Sequence, residues 1–336
     1  MAPLPPKQFK HYQELVDTLS QRGMYINDPE RTKRKLAQVG YYRLSGYWYP
    51  ARQLDRDGQG NAVLCPHLKR PKRLDEFMPD THFDRVFNLY LLDKKLRLAM
   101  LDGLERIEVF VRGVIAHELG RGKRKEAGTG LDIPEPLAWK DVDYINPKHT
   151  KKRGRRPSSW EEWKSKHDTL IKRSHEDCIT WHKRNEREMP FWVVIEAWDF
   201  GTLSKYYGML NDKYRQRVCA RLGITDKRET GVLQSWLMEM NILRNRCAHH
   251  TRIWNQQSSN MLALPSHAEF DDIRGDRNTL TRLYGVIRAM WFLIAQIGPS
   301  STWFDEVEEI IVTMPEIPGC STYSLGLPKP TQNNQQ

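Results

Sequence analysis

Disulfide chemistry has little material in this sequence. Five cysteines are scattered over 336 residues, an odd number with no Cys-x2-Cys pair. That spacing argues against a disulfide scaffold and a paired-cysteine zinc site, and it suits a reducing compartment. Long hydrophobic runs are missing too. The longest, Met290 to Ile297, is far short of the ~20 residues that a spanning helix needs. Met1 to Lys10 lacks the apolar core of a signal peptide, so a cytoplasmic protein with no membrane partner is expected. Clear period-2 strands, a Gly-rich phosphate loop, a Ser-His-Asp order and paired metal-binding carboxylates do not emerge. No cofactor and no metal are therefore expected. His175, Cys178 and His182 do share one helix face, but no further ligands for a metal are evident elsewhere.

Positive charge is what the chain has in excess. Fifty-three Lys and Arg against 42 Asp and Glu leave a formal charge of +11. The simplest partner for such a surface is nucleic acid. Much of the excess falls in a long irregular stretch at 120–157, interrupting otherwise helical patterns. It carries Arg121, Lys123 and Arg124, then Lys148, Lys151, Lys152, Arg153, Arg155 and Arg156. Glycine among the cations of the second cluster keeps it able to follow a phosphate backbone without reading bases. A solvated charged loop is the plainer account of the same residues.

Periodicity predicts an all-α protein with no internal repeat. The first helix is expected from Lys7 to Arg22. The next opens at Asp28, an N-cap followed by Pro29, and ends at Gly40. The aromatic segment Tyr41 to Tyr49 has helical spacing, which favours core packing over base stacking. Residues 54–80 read as loop, and the longest helical pattern spans Asp84 to Leu119. Helices then follow over Ser159 to Arg187, Phe191 to Met209, Asp212 to Leu222, Asp226 to His250 and Asp276 to Ile297. The resulting organisation is an N-terminal helical subdomain at 1–80, a helical domain at 81–300 and a C-terminal segment at 301–336, mostly a disordered tail.

One constellation carries chemistry. Arg244-Asn245-Arg246-Cys247-Ala248-His249 closes a helix whose apolar stripe is Val232, Leu233, Trp236, Leu237, Met240, Leu243 and Cys247. Arginine holds phosphate through a rigid fork of donors, and histidine moves protons near neutral pH. Asn245 and His249 are one turn apart on one face, with Arg244 about 140° around the axis from His249. Composition alone would give about one Arg-x4-His pair. A second does occur, Arg112 to His117, but there Glu108 stands four residues before Arg112 as an ordinary helix ion pair, and the two are read as structural.

Four stretches resemble a known family. They are Gly40-Tyr41-Tyr42-Arg43-Leu44-Ser45-Gly46-Tyr47-Trp48-Tyr49, Pro190-Phe191-Trp192-Val193, Phe200-Gly201-Thr202-Leu203-Ser204 and Leu243 through His250. In this order they are similar to the bacterial abortive-infection (Abi) family of AbiD/AbiF type, over about residues 10 to 255. The resemblance implies a HEPN-type helical bundle, which the pattern of this sequence supplements with an N-terminal helical extension and a long basic loop. The basic insert at 120–157 itself matches no motif of the family. The resemblance implies Arg244, Asn245 and His249 as a metal-independent endoribonuclease signature, and a role in defence against phage. RNA, in some relatives a structured noncoding RNA, is the implied partner. Because one motif supplies one strong proton-transfer group and RNA cleavage wants two, a homodimer is expected.

Overall fold

The computed structural model describes residues 5–66, 70–152 and 154–328. Among these residues the regular structure is thirteen helices and one two-stranded sheet. The protein is all-α. The chain divides into two compact units, one formed by residues up to Arg97 with Asp305–Leu327 and the other by Leu98–Phe304.

The first unit opens with α1 (Tyr12–Gln21), α2 (Pro29–Val39) and α3 (Tyr41–Trp48). The Asp28 side chain accepts from the Arg31 amide, as its N-cap position predicts, and Gly40 ends α2 at φ 91°. In α3 the aromatic run is divided. Tyr47 and Trp48 are fully buried while Tyr42 is 71% exposed. Tyr47 donates to Asp93 Oδ2 at 2.7 Å, and the same oxygen accepts from Arg97, so a buried carboxylate is both hydrogen-bonded and charge-paired. Residues 54–80 are not wholly loop. Strand β1 (Arg52–Leu54) pairs antiparallel with β2 (Arg73–Phe77), and Asp75 bridges Arg22 and Arg52 at 2.6 and 2.9 Å. Strands this short have too few residues to show alternation.

Helix α4 (Phe83–Gly120) covers the expected 84–119 pattern. The second unit continues through the basic insert, where Gly122 turns the chain at φ 96° so closely that a Cβ there would overlap the Ile133 carbonyl. The insert is irregular but packed. Short 3₁₀ turns at Ala138–Lys140, Val142–Tyr144 and Pro147–His149 bury Ala138 and Tyr144.

Then come α5 (Ser159–Arg173), α6 (Asp177–Arg184), α7 (Phe191–Val194), α8 (Phe200–Met209), α9 (Asp212–Arg221), α10 (Thr230–Ala248), α11 (Arg277–Leu280), α12 (Leu283–Ile297) and α13 (Trp303–Val312). Three expected helices are each broken in two, by local polar chemistry. Ser174 ends α5, and its hydroxyl accepts the Glu176 amide at 3.3 Å, competing with helix continuation. Asp199 restarts the chain as N-cap of α8, accepting from the Thr202 amide at 2.7 Å. The 276–297 pattern breaks at Thr281 and Arg282. Helix α13 lies in a segment read as mostly tail. Its core contributors, Trp303, Val307 and Ile311, are buried. Residues 329–336, part of the expected tail, lie outside the described residues.

Candidate functional site

Helix α10 is held on its buried side by every residue of the stripe expected from sequence: Val232, Leu233, Trp236, Leu237, Met240, Leu243 and Cys247. It packs against α8, α9 and α12. Trp236 also donates to the Ala263 carbonyl at 2.7 Å, which fixes its rotation about the axis. Locked this way, the helix presents its polar end outward. Asn245, His249 and His250 are exposed, and Arg244 is half-buried.

The end of α10 is a Schellman turn. The Thr251 amide donates to the Arg246 carbonyl at 2.8 Å and the His250 amide to the Cys247 carbonyl at 3.0 Å. This geometry requires a left-handed residue, usually glycine, yet His250 occupies it at φ 56°. His249 is the C-cap, its amide bonded to the Asn245 carbonyl at 3.0 Å. The structure joins Arg244 to Asn245, the guanidinium donating to the carboxamide oxygen at 3.4 Å. His249 stands one helical turn beyond Asn245.

Helix α4 brings further charge to this place. Glu108 pairs with Arg112 at 2.5 Å, as its spacing predicts, and Arg112 also donates to the Trp198 carbonyl. Burial raises the Glu108 carboxyl above its ordinary range, against the opposing pull of Arg112 and Arg244. Asp199 adds a smaller push in the same direction as burial. Asp199 itself is bonded to Lys166 at 2.8 Å and to Thr202. The charge of Arg244 is thus felt at Glu108, beside the latter's own pair with Arg112. Sequence reasoning missed this link between Arg244 and Glu108, because Glu108 lies on another element with no spacing relation to the motif.

The expected RNA-contacting cations divide into two groups. Arg121 pairs with Asp132 at 2.9 Å and with Glu118 at 3.3 Å. Lys123 bridges Asp141 and Asp143 at 2.7 and 2.8 Å, which raises its ammonium above its ordinary value. These two cations are engaged by carboxylates of the insert and, through Glu118, of α4, while Arg124 stays exposed. In the second cluster Lys148, Lys151, Lys152, Arg155 and Arg156 are all exposed, Lys152 lying 3.9 Å from Glu161. Arg153 lies outside the described residues. The His182 ring nitrogen Nδ1 is 2.7 Å from the Cys178 carbonyl. Among the described residues no group of three His, Cys, Asp or Glu is placed to hold a metal, and no helix is long and apolar enough to cross a membrane.

The family model of the Abi-like proteins matches residues 34–255. The chain belongs to the Abi-like protein family. The matched span runs from within α2 to just past the Schellman turn and so includes Arg244–His249. No curated protein and no solved structure matches the chain. Membership supports a part in abortive infection, a defence against phage, in general terms.

Proposed function

We propose that this Abi-like protein is a metal-independent endoribonuclease of the HEPN type, similar to AbiD/AbiF proteins. The observation that carries this reading is the set of exposed Asn245 and His249 with half-buried Arg244 at the end of a helix otherwise locked in the core. In the reaction a base removes the proton of an RNA 2′-OH, and the 2′-oxygen attacks the adjacent phosphorus. The bond from phosphorus to the 5′-oxygen breaks, and an acid protonates the leaving oxygen. The products are a 2′,3′-cyclic phosphate and a 5′-OH. Arg244 offsets the charge that accumulates on the phosphoryl oxygens, His249 transfers a proton, and Asn245 orients the phosphate or the arginine. A C2 homodimer that faces two motifs supplies the second proton-transfer group in one composite cleft.

A second reading is favoured by the exposed cations Lys148, Lys151, Lys152, Arg155 and Arg156. It is a binding protein that holds a structured noncoding RNA without cutting it. One experiment separates the two: incubate total and single-stranded RNA with purified protein in EDTA, wild type beside His249→Ala, and analyse the new ends. Cyclic-phosphate ends from wild type alone support the nuclease. Undiminished cleavage by His249→Ala, or none by wild type with RNA tightly bound, removes it.

A further inference from the structure

Beside the motif, on the same helix, lies a pocket of about 410 Å³ between α5, α8 and α10. Its size is within the range of small-ligand sites. It is open because α8 turns small residues toward it: Gly201, Ser204 and Gly208 recur at helical spacing. A Cβ at Gly208 would sit 2.9 Å from the Gln234 amide nitrogen, and one at Gly201 would sit 3.4 Å from the Asn241 carboxamide. The glycines therefore leave room for two amides of α10 at the pocket wall.

Those amides differ in how they are held. The Gln234 carbonyl oxygen accepts from Arg215 at 3.0 Å, which fixes the amide and aims its nitrogen into the pocket as a donor. Asn241 is half-buried, and no hydrogen bond among the described residues engages its carboxamide. It can both donate and accept. Between the amides Met238, 46% exposed, and Ile242, 39% exposed, offer apolar contact that water covers in the free protein. Lys205 is exposed at the rim, and His149 reaches in from the basic insert. The Glu162 carboxylate and Lys166, the latter paired with Asp199, also line it, so Lys205 is the exposed cation at the rim. An apolar slot with paired amide hydrogen-bonding groups and an ammonium at its rim matches a planar heterocycle bearing a phosphate.

Resting on the nuclease reading, we infer that this pocket receives one unstacked base of the RNA strand whose phosphate lies on Arg244. Position selects the strand over a free nucleotide. Asn241 stands one turn before Asn245 and two turns before His249, about 12 Å along the axis from the latter. A base in the slot therefore sits a short stretch of single strand from the scissile phosphate. His149 ties the slot to Lys148 and Lys151, so the strand can continue onto the insert. Asn241 is a specificity residue, and Met238 and Ile242 grip the ring.

The test uses the full chain with Asn241→Leu and Met238→Trp, the latter an exposed position where a large side chain fills the slot. A random-sequence single-stranded RNA pool is cut and the ends are sequenced. Wild type is expected to prefer one base at a fixed distance from the cut by about tenfold or more, and both variants to lose that preference. An unchanged pattern in both overturns the proposal. The pocket is tested separately from catalysis with His249→Ala and a short RNA carrying 4-thiouridine, by light-induced crosslinking and peptide mapping. Crosslinks within residues 204–209 or 238–242, competed by unlabelled RNA and not by uridine monophosphate, support the pocket even if wild type proves inactive. Crosslinks elsewhere, or equal competition by the mononucleotide, overturn it.

Discussion

His167 shows how a single side chain reports its surroundings. It is buried against Trp139 and Trp163, and its Nδ1 accepts from the Trp198 indole at 2.8 Å. Burial pushes its pKa down to about 4. The folded protein keeps this ring neutral where the unfolded chain already binds a proton. Stability is therefore full above about pH 6.5 and falls as the pH drops toward 4, by about 3 kcal/mol at most. His167→Gln keeps an acceptor for Trp198 but cannot titrate, so its urea stability should change less over that window than that of wild type. Parallel curves for the two proteins would show that His167 is not the group responsible. None of this was visible in the sequence. There His167 was one polar residue among the charged positions of α5, and only the arrival of Trp198 from another element gives it a partner.

At the scale of elements, the end of α10 matters most. A histidine in the left-handed region costs roughly 1–2 kcal/mol relative to a residue free of that strain. Glycine recovers the strain but loses more entropy on folding. His250→Gly should therefore raise stability in urea by about 0.5–1 kcal/mol, while cleavage falls if the turn's side chain serves the site. Destabilisation on that change would mean that the contacts of His250 outweigh its backbone strain. The apolar stripe of α10 was fully legible, because a helix anchored on several faces repeats its buried positions at its own period. Its Schellman end was not, since glycine is the usual signal and this sequence uses His250. The breaks at Ser174 and Asp199 were signalled only by ordinary capping residues inside continuous apolar patterns. Strands β1 and β2 left no periodic trace.

For the molecule as a whole, the distribution of positive charge sets what can be measured. Lys148, Lys151, Lys152, Arg155 and Arg156 are exposed, whereas Arg121 and Lys123 are committed to internal ion pairs. If the five exposed cations neutralise phosphates, the affinity for single-stranded RNA should fall with salt at a log–log slope of about −3.5. Changing Lys151, Lys152, Arg155 and Arg156 to glutamine should flatten the slope, and the same change at Arg121 should leave it nearly intact. A flat dependence for wild type would remove nucleic acid as the partner of this surface.

The sequence by itself determined the helical class, the face that α10 buries, and the set Arg244, Asn245 and His249 with its order along the chain. Each is a local property, written in side-chain chemistry and in spacing along one element. Tertiary structure alone decided which cations remain outside internal ion pairs, which carboxylate feels the charge of Arg244, and that α8 and α10 leave a slot lined by Gln234 and Asn241. Those outcomes depend on how elements distant in sequence approach one another, and the packing of buried faces fixes that approach with no repeat in the chain to announce it.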